Sequence, residues 1–219
     1  MALVGGGAAG AAAASPSITK PQAIEFARQV NLTAADVPGA VMGPTEPEAK
    51  PTRSAVRLAR CSGGVNPNLR VADVPSPAFA LGKGRSLVEL RSDVEVLPMA
   101  ALATRSFDAL SSARGHACLR RMLPASVKVR SKHGVRLGRI SVSFLSGLLP
   151  AGQKSFGARI ALTFTNGARK VTLFTDAIEV LAGPAAVGLN VVAAFHPPSS
   201  ALERRLLSAL YARASSHPI

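Results

Sequence analysis

The sequence predicts an α+β fold: an antiparallel sheet of about five to six strands, packed by helices on one face and closed by a C-terminal helix. Three observations predict it. Between residues 139 and 195, apolar residues alternate with polar or small ones: Ile140, Val142 and Phe144, then Ile160, Leu162 and Phe164, then Val187, Leu189, Val191, Ala193 and Phe195. A period of two sends successive side chains to opposite faces, so one face of each run is buried. Asn166-Gly167 separates two of these runs, and that dipeptide accepts the positive φ angles of a tight hairpin. Finally, Ser200 and Glu203 have capping-box spacing and precede Leu206, Leu207 and Leu210, which marks a closing helix that packs on the sheet.

Length and composition set the frame. A chain of 219 residues suits one domain with short additions, and 47% hydrophobic residues with a mean hydropathy of +0.25 supply a core. Residues 1–17 form an apolar Ala/Gly stretch, either the end of a secretory signal, with a small-residue pattern before Ser15, or a disordered arm. Residues 18–52 read as a helix and a Pro-rich connector, and residues 53–219 as a single α+β domain. There are two cysteines, Cys61 and Cys118, with no Cys/His cluster beside either, so no metal site and no cofactor is expected. They are either buried thiols or, in an exported protein that meets an oxidising space, a disulfide.

The formal charge is +14. Its densest stretch runs from Arg114 to Arg139 without an acid, and Arg120, Arg121, Lys128, Arg130, Lys132 and Arg136 are the candidate anion-binding residues. The field suits a solvated basic surface, an anionic or lipidic envelope partner close to a membrane, or nucleic acid. With one tyrosine and no tryptophan, stacking platforms for single strands are poorly supplied, and nucleic acid is the least favoured partner.

In chain order, residues 19–32 carry Ala23, Ile24, Ala27 and Val30 at helical spacing after an early Pro21. A short strand is expected near residues 40–42 and another over 78–81. Residues 88–96 alternate cleanly, with Val88, Leu90, Val94 and Val96 inward and Glu89, Arg91, Asp93 and Glu95 outward as surface charges. Pro98 opens a helix whose stripe is Met99, Leu102, Ala103, Phe107 and Leu110. Gly115 is expected to break that run, and a second helix over 116–123 carries Cys118 inward until Pro124 ends it. The loop before Phe156 exposes Leu148 and Leu149; these three are pocket-loop candidates, with packing on the sheet edge as the equal alternative. From Val171 and Leu173 to Ile178 and Val180 the apolar phase shifts from odd to even, which predicts a bulge at Thr175-Asp176.

No P-loop, GxSxG, HExxH or paired His/acid constellation is present, so no catalytic residue is proposed from the sequence and no enzyme is expected. The stretch SDVEVLPMAALATRSFDALSSARGHACL, with the order of elements around it, resembles actinobacterial cell-envelope domains: PsbP-like lipoproteins of the LpqN type and the extracytoplasmic sensor domains of PknH-type kinases. The resemblance implies an antiparallel sheet packed by helices in a non-enzymatic, extracytoplasmic domain that binds or senses a ligand, here expected as a monomer. A basic nucleic-acid-binding module is the alternative.

Overall fold

The computed structural model describes residues 17–126, 136–150, 152–217 and 219, with backbone alone for 124–126. Its elements are α1 (Lys20–Val30), β1 (Val41–Thr45), α2 (Arg53–Ser62), β2 (Ala72–Pro75), β3 (Pro77–Leu81), β4 (Val88–Val96), α3 (Ala100–Ser111), α4 (Ala113–Ser126), β5 (Arg136–Leu145), β6 (Ser155–Asn166), β7 (Arg169–Ala182), β8 (Ala185–Ala194) and α5 (Ser200–Ser216). The class is α+β, and the strands form one antiparallel sheet of eight in the order β1-β3-β4-β8-β7-β6-β5, with β2 also paired to β4. The expected five to six strands are therefore too few: β2, only four residues long, lacks the length that makes a periodic signal visible.

The alternating runs form β5 to β8 of a meander, as expected; burial follows the alternation in β8, whereas Ile140, Val142 and Phe144 of β5 and Ile160, Leu162 and Phe164 of β6 are only partly buried. Asn166 pairs with Arg169 across the β6–β7 turn, and Gly167 supplies φ +57°. The expected bulge at Thr175-Asp176 is absent, since β7 keeps unbroken register with both β6 and β8. Asp176 lies in phase with Ile178 and Val180 and is buried with them. The change of apolar phase needs no bulge, because both faces of β7 are covered: Ile178 and Val180 pack in one core and Leu181 on the other face.

Helices cover both faces of the sheet, not one. On the first face, Leu90, Val94 and Val96 of β4 and Val187, Leu189 and Val191 of β8 pack against Ala23, Phe26, Ala27 and Val30 of α1 and Leu206, Leu207 and Leu210 of α5. The helix of residues 18–52 thus lies in the same core as the strands of residues 53–219. The second face meets α2, α3 and α4: Phe107 and Leu119 pack with Phe156 and Ala158, and Ala103 packs with Leu97. The alternation of β4 shows that two faces differ; it carries no information about what roofs the polar one.

Three local expectations also change. Gly115 does not break the chain between helices but lies within α4, where a Cβ would fall 2.3 Å from the carbonyl oxygens of Ala109 and Leu110. The glycine allows α4 to start against the end of α3. Helix α4 continues through Pro124 to Ser126 rather than ending before it. In α5 the N-cap is Ser199, and Glu203 is buried in the sheet interface instead of closing a capping box. Helix α5 is also tied to the segment after α1: Arg205 donates to the Asp36 carbonyl at 3.0 Å, and Arg213 pairs with the Asp36 carboxylate at 3.0 Å. Burial raises the Asp36 pKa, but the Thr33 amide and hydroxyl and Arg213 outweigh it and hold it below the ordinary aspartate value.

Candidate functional site

Helix α2 is the hub of the candidate site. Thr52 caps it by accepting from the Ala55 amide at 3.1 Å. At its other end, Arg114 of α4 donates from Nε to the Cys61 carbonyl at 2.6 Å, which satisfies one of the acceptors a helix C-terminus leaves open. Cys61 of α2 is bonded to Cys118 of α4, so the two helices are tied across 57 residues of chain.

Around this disulfide lies an open depression of about 590 Å³ lined by Arg57, Arg60, Arg114 and Arg121. None of these arginines has an acid within ion-pair distance among the described residues. Arg121 also donates to Cys61 Sγ at 2.9 Å. Four guanidinium groups converge with no counter-charge, a field that favours an anion. Along α2 the depression continues into a groove of about 320 Å³ lined by Ala55, Leu58, Leu119, Met122 and Leu123, with Ser54 at its rim. Arg57, Arg121 and Met122 line both parts.

On its other side α2 roofs a row of acids on the polar face of the sheet. A cavity of about 140 Å³ is bounded by Ala55, Leu58, Arg70, Glu95, Leu97, Ala103 and Glu179, among others. Arg70 contacts the Asp73 carboxylate and lies 2.8 Å from Glu95. Asp93 accepts from Asn190 at 2.7 Å and sits over Gly188, where a Cβ would come within 2.6 Å of its carboxylate. Burial, then the charge of Asp73, pushes the Asp93 pKa up to about 6. Burial and the charges of Asp73 and Asp93 raise Glu95 to about 7, against the opposing pull of Arg70. Burial and the charges of Glu95 and Asp93 raise Glu179 to about 8. Asp93 and Glu95 are therefore not the surface charges expected from the sequence. Raised carboxyl pKa values occur at catalytic sites, but this cavity has room for a few waters at about 30 Å³ each rather than for a substrate.

A further acid pair lies on the opposite face. Asp176 is fully buried and receives Arg159, with Nε donating at 2.8 Å and Nη2 completing a fork. Glu203 of α5 lies against it, and burial together with a hydrogen bond to Asp176 raises the Glu203 pKa to about 8.

The structure divides the residues expected to bind anions. Arg121 joins the disulfide depression. Arg120, one residue on, leans the other way, its guanidinium 4.9 Å from the Phe144 ring centre. His116 stacks on the same ring at 3.6 Å, and burial and the charge of Arg120 lower its pKa. Arg136 is exposed at the start of β5, and Lys128, Arg130 and Lys132 lie outside the described residues. The pocket-loop candidates separate as well. Leu148 is buried over Gly157 in the first core, with Leu149 packed beside it, whereas Phe156 belongs to the cluster on the opposite face. The contacts of Leu148 and Leu149 are of the sheet-packing kind, which is the alternative for this loop. The sequence reading missed Arg57, Arg60 and Arg114. The RSAVRLARC stretch holds the signal, since Arg53, Arg57 and Arg60 are spaced four and three apart and lead to a cysteine.

No known family model and no curated protein sequence matches the chain. Among solved structures, the chain is similar to the extracellular domain of PknH from Mycobacterium tuberculosis, with a TM-score of 0.44 and 9% identity over 92% of this chain and 98% of that one. No helix among the described residues is long and apolar enough to cross a membrane.

Proposed function

We propose that this chain is a non-enzymatic, extracytoplasmic binding domain of the cell envelope that holds an anionic partner on the α2–α4 surface. The observation that carries the reading is the convergence of Arg57, Arg60, Arg114 and Arg121, without acidic partners among the described residues, around the Cys61–Cys118 bond. A disulfide joining two helices is of use where thiols stay oxidised, which supports the extracytoplasmic assignment. The acids that resemble catalytic groups line a cavity too small for a substrate, which supports a binding role over a catalytic one. Nucleic acid fits the surface poorly. Arg120 and Arg121 diverge around α4, so among the described residues no continuous cationic track runs along it and no aromatic ring lines the depression to stack a base.

The test is calorimetric titration with inorganic pyrophosphate at low ionic strength, for the wild type and for the Arg57→Glu/Arg121→Glu variant. Binding by the wild type that weakens with salt and is lost in the variant is the expected result. Equal affinity in the two proteins would remove the site. A gel shift with duplex and single-stranded DNA accompanies it, and retention of either at physiological salt would favour the nucleic-acid alternative.

A further inference from the structure

The arginine depression does not stand alone: it opens into an apolar groove that a simple anion leaves unused. The groove floor is Leu58 and Leu119, its walls are Met122 and Leu123, and its cationic end is Arg57 and Arg121. Its volume of about 320 Å³ lies at the lower end of the ~300–1,000 Å³ that small-molecule sites occupy. Because Arg57, Arg121 and Met122 line both parts, apolar and cationic surfaces are continuous, and one molecule can span them.

From this continuity we propose that the α2–α4 groove seats a single-chain anionic amphiphile, with its alkyl chain on Leu58, Leu119, Met122 and Leu123 and its phosphate or carboxylate head on Arg57 and Arg121. The proposal rests on the anion-binding reading above and narrows it to a ligand class. A free inorganic anion would satisfy the guanidinium groups but leave the groove wet. A long polyanion would need a cationic track, and Arg120 is turned away to Phe144. An amphiphile satisfies both halves: the head neutralises uncompensated charge, and the chain removes apolar surface from water.

Alkyl phosphates short enough to stay monomeric test the proposal on the native, disulfide-bonded protein. Each buried methylene contributes about 0.8 kcal/mol, which is roughly fourfold in affinity, so octyl phosphate should bind about 14-fold more tightly than hexyl phosphate. Octyl maltoside, with the same chain and no charge, should bind far more weakly than octyl phosphate. Ser54→Glu, at the exposed rim, and Leu58→Gln, which lines the groove but not the arginine depression, should each erase the chain-length dependence while inorganic phosphate still binds. Should Leu58→Gln fail to fold, Ser54→Glu carries the test, since an acid in the first turn of a helix is favourable. If hexyl, octyl and inorganic phosphate bind equally, the chain is not held and the amphiphile proposal falls, with the anion-binding function intact. If octyl maltoside matches octyl phosphate, the arginines do not hold the head and the proposal falls on that ground. If no phosphate-bearing probe binds, the anion-binding function falls with it.

Discussion

Replacing both cysteines, Cys61→Ser with Cys118→Ser, removes the one covalent link between α2 and α4 among the described residues. The bond closes a loop of 57 residues, for which the chain-entropy model gives about 4 kcal/mol. Packing within α2 compensates little, because Ser62 is its one fully buried residue and the other contacts are partial. Loss of the bond also frees Arg121 from Cys61 Sγ. At ~2–4 °C per kcal/mol for a domain of this size, the melting temperature should drop by about 8–16 °C. The chain has no tryptophan, so far-UV circular dichroism in guanidinium is the appropriate probe. Amide exchange should rise first in α2, while the β5–β8 meander stays protected. A loss under about 1 kcal/mol would refute the reasoning, since packing would then hold α2 without the bond.

Other perturbations have equally definite outcomes. Gly188→Ala puts a Cβ 2.6 Å from the Asp93 carboxylate, so it should cost about 1–3 kcal/mol as overpacking does; adding Asp93→Ala should recover most of that in denaturant titration. Asp93, Glu95, Glu179 and Glu203 have folded-state pKa values of about 6, 7, 8 and 8, above the ordinary carboxyl range. The native state therefore holds protons that the unfolded chain releases; the associated stability is full below about pH 4 and is lost as pH rises through these values. Melting temperatures should accordingly be higher at pH 5 than at pH 8, and Glu179→Gln should flatten the slope; a melting curve that rises over this window would contradict the burial of these acids. Asp176→Ala leaves Arg159 without its buried carboxylate and should cost about 3–5 kcal/mol in chemical denaturation, whereas an exposed pair would cost under about 1.

What the sequence made legible follows from what is local. The meander from β5 to β8 was readable because alternation and the Asn166-Gly167 turn are decided by neighbours a few residues apart. The outward assignment of Asp93 and Glu95 was reasonable for an isolated strand, yet α2 and α3 come from elsewhere in the chain to roof them. The shift of apolar phase along β7 suggests a bulge only if one face is buried; helices distant in sequence cover both, so Ile178 and Leu181 are each packed in an unbroken strand. The arginine depression was half visible: the sequence pointed to Arg121 in the acid-free stretch, but only the disulfide brings Arg57 and Arg60 to it. Leu148, Leu149 and Phe156 are neighbours in sequence, and the strand pleat sends Phe156 to the other face.

The β4–β8 ladder matches residues 88–96 with residues 185–193 in one uninterrupted register, and Asp93 meets Asn190 across 97 positions. The β6–β7 hairpin needs no such span, since its strands follow one another directly. Closing distant segments costs entropy before any contact rewards it, so non-local strand pairing is slow. In refolding, pulse-labelled amides of β6 and β7 should gain protection ahead of those of β4. Until that late step the acids of β4 lack β8 beside them, and the chain remains two unjoined half-sheets, β1–β4 and β5–β8.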